Sequence, residues 1–116
     1  MIPDTPDSDS LPLFDSLVLL EMTGNDAALT LSILSDFLEN FDIQLKAMAD
    51  AADISQWRAL AHRMKGAANS VGARRLGALA ARAERETTPR PAVAEALATE
   101  LAALRAHCAG LFVVMS

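Results

Sequence analysis

The chain has no tyrosine, a single tryptophan and a single cysteine, and only five glycines and five prolines in 116 residues. Aromatic and β-branched runs, which favour strands, are scarce, whereas alanine and leucine are abundant within a hydrophobic fraction of 52%. The lone Cys108 cannot form an internal disulfide. Its helical spacing with Leu101, Leu104 and Leu111 favours a small buried hydrophobe over a redox thiol. This composition predicts an all-α protein.

Long apolar runs are also missing. No stretch reaches the roughly 18 residues that a membrane span needs, and the acidic N-terminus lacks the basic start of a secretory signal. We therefore expect a cytoplasmic protein without a membrane partner. The length suits one domain. Residues 1–10 are polar, acidic and rich in proline, which predicts a mobile acidic N-terminus, and residues 11–116 are predicted to form one helical bundle domain.

Capping and stop signals divide this domain into a short helix and four long ones. The short helix should run from Asp15 to about Thr23, where Gly24 stops it. The first long helix is expected from Asn25 or Asp26 to about Ala52, and the others over about 53–72, 73–87 and from Pro91 onward. Asp53 with Gln56 resembles a capping box for the second long helix. Four amphipathic helices with short connections predict an antiparallel four-helix bundle with an additional short N-terminal helix.

Charge is divided unevenly along the chain. The first 53 residues hold eleven of the fifteen acidic residues, whereas residues 58–90 hold eight of the ten basic ones. A basic segment can bind nucleic acid, but this one has no aromatic residue beyond Trp57 and no DNA-binding motif, so we expect no nucleic acid partner. A phosphoryl group or an acidic protein pocket fits the basic segment better.

The predicted third helix carries a histidine on its polar face. Because each helical residue advances about 100°, Arg58, Lys65, Gly66 and Asn69 lie within about 60° of His62. An apolar stripe occupies the opposite side, formed by Trp57, Leu60, Met64, Ala67 and Val71. An isolated exposed histidine is usually only solvated, but a lysine one turn away and an adjacent glycine favour a chemical role.

Several classes of reactive site do not fit. A di-iron bundle needs Glu-x-x-His pairs, but Ala59 and Leu104 stand three residues before His62 and His107. Neither histidine has zinc-ligand spacing, and no glycine-rich phosphate loop suggests ATP binding. We therefore expect no metal, no cofactor and no kinase activity. His107, at the edge of the apolar stripe of the last helix, is expected to have a structural or surface role.

The residues around His62 resemble a known signature. In histidine-containing phosphotransfer (HPt) domains, an alanine-histidine pair is followed by an apolar residue, Lys-Gly, small residues and a second glycine. The matching positions here are Ala61, His62, Met64, Lys65, Gly66, Ala67, Ala68, Val71 and Gly72. The next helix, with Leu76, Leu79, Ala80 and Glu84, is similar to the leucine-rich, Glu-terminated helix of that family. One position departs: many members have Asn where this chain has Ser70, and its amide is Asn69.

The resemblance implies a single-domain phosphorelay protein. His62 would accept a phosphoryl group from the aspartyl phosphate of a hybrid sensor kinase's receiver domain and pass it to the receiver of a response regulator. The receiver would supply Mg²⁺. Lys65 is suited to neutralise phosphoryl oxygens, and Gly66 to leave the imidazole accessible. Partner contacts are expected at Arg58, Ala59, Arg63 and Asn69.

Two other interpretations remain open. The chain could be a helical adaptor that docks a receiver or kinase domain without carrying phosphate, although the intact His-Lys-Gly set argues against this. It could also be the dimerisation and phosphoacceptor helix pair of a histidine kinase. That class usually has an acidic residue after the histidine, where this chain has Arg63. A bundle that closes on itself needs no second copy, so we expect a monomer.

Overall fold

The computed structural model describes residues 14–115, except for the side chains of Ser16 and of residues 111–115. It contains five helices: α1 Ser16–Thr23, α2 Ala27–Ala49, α3 Ile54–Ser70, α4 Arg74–Glu84 and α5 Pro91–Met115. No strand occurs within residues 14–115, and the predicted all-α class is confirmed. The predicted mobile segment 1–10 and the side chain of Leu111 lie outside the described part.

Aspartates cap the first three helices. Asp15, Asp26 and Asp53 each accept a hydrogen bond from a backbone N–H in the first turn, at 3.2, 3.0 and 2.8 Å. One such cap stabilises a helix by about 1 kcal/mol. At the end of α1, Gly24 adopts the left-handed conformation with φ of 63°, as its stop signal predicts. The predicted starts of these helices are therefore confirmed.

Two helix ends differ from the prediction. The second helix stops at Ala49 instead of about Ala52, because Asp53 must be extended, with φ −125° and ψ 158°, to cap the next helix. The fourth helix ends at Glu84 instead of Thr87. The β-branched pair Thr87 and Thr88 favours helix weakly, and the proline that follows disfavours helical backbone at Thr88.

The helices enclose one apolar core. α2 and α4 each contact both α3 and α5, and α1 packs on α2. The largest fully buried side chains are Leu19, Leu34, Phe41, Met48, Trp57, Met64, Leu76, Leu97, Leu104 and Cys108. Burial raises the pKa of the Cys108 thiol to about 11, so this thiol stays protonated and behaves as a small apolar side chain. The buried position predicted for it is confirmed.

A tight turn joins α3 to α4. Gly72 has φ of 83°, and a Cβ there would collide with the backbone oxygen of Asp15. The close approach allows the Asp15 N–H to donate to the Gly72 carbonyl at 2.8 Å, which ties the start of α1 to this turn. Below the turn, the buried Trp57 indole N–H donates to the Ala83 carbonyl at 2.7 Å. Since Asn69 lies against Gly77 and Trp57 against Ala83, α3 and α4 run in opposite directions.

Some large apolar side chains remain at the surface. They are Leu17, Met22, Leu29 and Ile43. No single helix within the described residues is long and apolar enough to cross a membrane. Leu17–Thr23 and Ala27–Ala49 meet the length and composition criteria only when taken as a pair, and a bend of 119° separates them.

Candidate functional site

The predicted polar face of α3 lies at the surface. The His62 side chain is 68% exposed, and the opposite stripe buries Trp57, Met64 and Val71. The predicted site residues on the exposed side are Arg58, Ala59, Arg63, Gly66 and Asn69, all exposed, and Lys65, which is partly buried. The helical arithmetic is therefore confirmed for the placement of these residues, and their roles remain predictions.

A carboxylate from α4 joins the two reactive-looking side chains of α3. Glu84 Oε1 lies 2.9 Å from His62 Nδ1, and Glu84 Oε2 lies 2.6 Å from Lys65 Nζ. The Glu84 and Lys65 side chains are 28% and 33% exposed, so the bridge is half-buried beside an open imidazole. In the sequence, Glu84 was noted only as part of a helix similar to one in the HPt family, and its contact with His62 and Lys65 was not predicted.

The bridge selects the tautomer of the neutral imidazole. The hydrogen bond from Lys65, followed by that from His62, lowers the pKa of the Glu84 carboxyl, which is therefore ionised at neutral pH. An ionised carboxylate can only accept hydrogen bonds, so Nδ1 carries the proton in this contact. In the neutral ring, Nε2 then holds the lone pair. A carboxylate that orients a histidine in this way makes the opposite nitrogen available as a nucleophile.

Gly66 is not required by the local backbone or by packing. Its φ is not positive, and no atom lies within 4 Å of the position that a Cβ would occupy. Because glycine costs a helix about 1 kcal/mol relative to alanine, its presence on the open side of His62 needs another reason. The open space is consistent with the predicted access to the imidazole.

Two of the predicted partner-binding residues also make contacts within the chain. Arg58 Nε donates to the Glu86 carbonyl at 3.1 Å, which connects α3 to the segment after α4. The Asn69 side chain lies against Gly77, where a Cβ would displace its amide oxygen. Both side chains remain exposed at residue level, so partner binding by them stays a prediction.

The second histidine belongs to a different part of the surface. His107 is exposed, and its ring meets the edge of Phe14 at a centroid distance of 6.1 Å and an interplanar angle of 66°. This contact agrees with the predicted structural or surface role. Among residues 14–115, no group of three His, Cys, Asp or Glu side chains is placed to hold a metal ion.

Comparison with known families agrees with this geometry. The family model of the Hpt domain matches residues 32–107, more than half of the chain, and the match includes His62, Lys65 and Glu84. The chain belongs to the Hpt domain family. Searches of curated proteins and of solved structures returned no match. Hpt domains carry phosphoryl groups in two-component signalling and interact with receiver domains, and these general properties apply to this chain.

Proposed function

We propose that His62 Nε2 accepts a phosphoryl group from the aspartyl phosphate of a receiver domain in a hybrid sensor histidine kinase and passes it to the aspartate of a response regulator. The observation that carries this proposal is the 2.9 Å contact between Glu84 Oε1 and Nδ1 of an exposed imidazole. It accounts for a nucleophilic Nε2 in a ring that a partner can reach.

In the transfer step, the Nε2 lone pair forms a bond to phosphorus while the bond between phosphorus and the aspartyl oxygen breaks. The electron pair of that bond leaves with the aspartate carboxylate. The ring becomes positively charged because Nδ1 still holds its proton, and the Glu84 carboxylate stabilises this charge through the same hydrogen bond. Passing the group to a second receiver reverses these bond changes.

Lys65 supports the step from the other side of the carboxylate. Its ammonium lies one helical turn from His62 and is held by Glu84 at 2.6 Å. Phosphoryl transfer depends mainly on positioning and on neutralising the equatorial oxygens, which a flexible ammonium on the same face of α3 can do. Gly66, with open space around it, leaves the approach of the phosphoryl donor unobstructed.

The same proposal includes the source of the metal ion, the arrangement of the helices and the state of the protein. Mg²⁺ belongs to the receiver's pocket, and the Hpt chain acts without a cofactor and without ATP-dependent kinase activity of its own. The contacts of α2 and α4 with both α3 and α5 form a closed ring, which supports an antiparallel four-helix bundle. The cytoplasmic location and monomeric state stay predictions.

The test is transfer of radiolabel from phosphorylated receiver domains of the same organism. The wild-type chain should gain an acid-labile, alkali-stable label, as expected for a phosphoramidate. His62→Gln should lose the label, and the matched variant His107→Gln should keep it. Label on folded His62→Gln would overturn the assignment. A wild-type chain that binds receivers but never takes label would support the helical adaptor instead.

A further inference from the structure

The outer side of α4 carries arginines that differ in how they are paired. Arg74 contacts Asp15 at 3.5 Å, and Arg75 contacts Glu100 at 4.0 Å. Arg82 and Arg85 are exposed, and within the described residues their guanidinium groups have no ion pair or hydrogen bond. An unpaired guanidinium remains available to a carboxylate from outside the chain.

Both unpaired arginines are level with the proposed phosphoacceptor. Counted at about 100° per residue around the α4 axis from Glu84, Arg85 lies at about +100° and Arg82 at about +160°, whereas the buried Leu76 and Ala83 lie near −80° and −100°. Along the axis, Arg85 is about 1.5 Å and Arg82 about 3 Å from Glu84. Since Glu84 contacts His62, Arg85 extends the exposed surface from the imidazole onto α4, and Arg82 lies farther around the same exposed side of that helix.

The two acidic side chains that neighbour these arginines in the sequence are already paired. Within residues 58–90 the acidic residues are Glu84 and Glu86. Glu84 is held by His62 and Lys65, and the Glu86 carboxylate pairs with Arg90 at 3.0 Å. A partner that approaches this side therefore meets an excess of positive charge, which attracts acidic surfaces over about 8 Å to 10 Å.

We propose that Arg82 and Arg85 form a second docking contact, at the edge of α4, for a receiver domain with surface carboxylates beside its phosphorylatable aspartate. This inference rests on the proposed function and adds a partner contact on a helix other than α3. Charge complementarity selects the occupant, because unpaired guanidiniums favour carboxylates and oppose a basic surface. Ala78 and Ala81, which share the outer side of α4, have side chains too small to keep a partner away.

The test compares Arg82→Glu and Arg85→Glu with Arg105→Glu. The control makes the same charge change at an exposed residue of α5, a helix that packs on α2 and α4. The probe is a radiolabelled receiver domain from the same organism that passes label to the wild-type chain. Transfer is measured as the second-order rate constant and as the rate at saturating receiver, at about 50 mM and about 300 mM NaCl.

We expect each α4 variant to lower the second-order rate constant by roughly 3- to 10-fold at low salt, with a smaller loss at high salt. The saturated rate should change little, and Arg105→Glu should resemble wild type. Labelling by phosphoramidate, which needs no partner, should remain at the wild-type rate in all three variants, because the fold and the acceptor are intact.

Equal losses in Arg85→Glu and Arg105→Glu would overturn the inference, since net charge alone would then explain them. Unchanged transfer in both α4 variants would also overturn it, while leaving His62 as the phosphoacceptor. If the wild-type chain takes label from no receiver, the proposed function itself fails, and the docking contact fails with it.

Discussion

Replacing Glu84 by glutamine tests how the imidazole is prepared for transfer. The amide keeps the size of the side chain but removes its charge, and it can donate to Nδ1 as well as accept from it. Donation would place the ring proton on Nε2, the nitrogen that must attack. The contact at risk is the 2.9 Å hydrogen bond between Glu84 Oε1 and His62 Nδ1. The change also removes the charged partner of Lys65, which lies at 2.6 Å.

The structure sets the size of the expected effects. The Glu84 bridge is partly exposed, so its loss should lower the free energy of unfolding by only about 1 kcal/mol. Carboxylates that orient metal-ligating histidines are worth roughly 10- to 100-fold in metal affinity or activity, and by analogy we expect the rate of transfer at saturating receiver to fall by a similar factor. Rapid-quench kinetics with a labelled receiver would measure it. Stability would thus change little while transfer becomes much slower.

Glu100→Gln is the matched control, because Glu100 is a partly buried glutamate on α5 that pairs with Arg75. It should leave the saturated transfer rate unchanged. The reasoning about Glu84 is refuted if Glu84→Gln transfers at the wild-type rate, or if both variants slow equally. A loss confined to receiver affinity would also refute it, because Glu84 is argued to act on the ring.

Stability should depend on pH through the same carboxylate. The hydrogen bonds from Lys65 and then from His62 lower the pKa of Glu84 below its ordinary value of 4.5. The unfolded chain therefore binds the proton more readily, so this contribution to stability is present above pH 4.5 and is lost as pH falls through the lowered pKa. The difference in unfolding free energy between wild type and Glu84→Gln should shrink below pH 4.5. A difference that grows there would contradict the assigned direction.

Two glycines give opposite expectations. Gly66→Gln should hold or raise the melting temperature, because glycine costs a helix about 1 kcal/mol. The same variant should slow transfer to His62, because the longer side chain crowds the imidazole. The control is Gly110→Gln, at another exposed helical glycine with open space around it, and this variant should leave transfer unchanged. Unfolding of Gly66→Gln would show instead that Gly66 serves packing. Gly72→Ala should lower the free energy of unfolding by about 1 to 3 kcal/mol, because φ is positive at this position and the added Cβ would meet the Asp15 oxygen. A denaturant titration that finds no loss of stability would exclude this strain.

The sequence predicted the parts of this fold that depend on local rules. Capping by Asp15, Asp26 and Asp53 is decided within one helical turn, so the helix starts could be recognised from residue type. The exposed position of His62 followed from the angle between it and the apolar stripe. Helix ends were less accurate, because the end at Ala49 depends on the extended residue needed to cap the following helix.

The contact of Glu84 with His62 depends on how two helices are aligned, which helical periodicity within either helix cannot specify. A signal was nevertheless present. His62 and Glu84 are each eleven residues from Ala73, and Asn69 and Gly77 are each four residues from it. In a helical hairpin that turns at Ala73, residues equally distant from the turn come together, so the pairing could have been predicted once the turn was assumed. Without that assumption, Glu84 was recognised only as the terminal glutamate of a helix that resembles one in the Hpt family.

The hydrogen bond between the Trp57 indole and the Ala83 carbonyl gives this protein an intrinsic optical reporter. Trp57 is the sole tryptophan, tyrosine is absent, and the indole is 1% exposed. Ala83 directly precedes Glu84, whose carboxylate contacts His62. A separation of α3 from α4 that breaks this contact therefore also exposes the indole to water. Tryptophan emission should then shift to longer wavelength. Fluorescence can therefore follow the integrity of the transfer site during titration with denaturant, acid or a partner, without an attached dye.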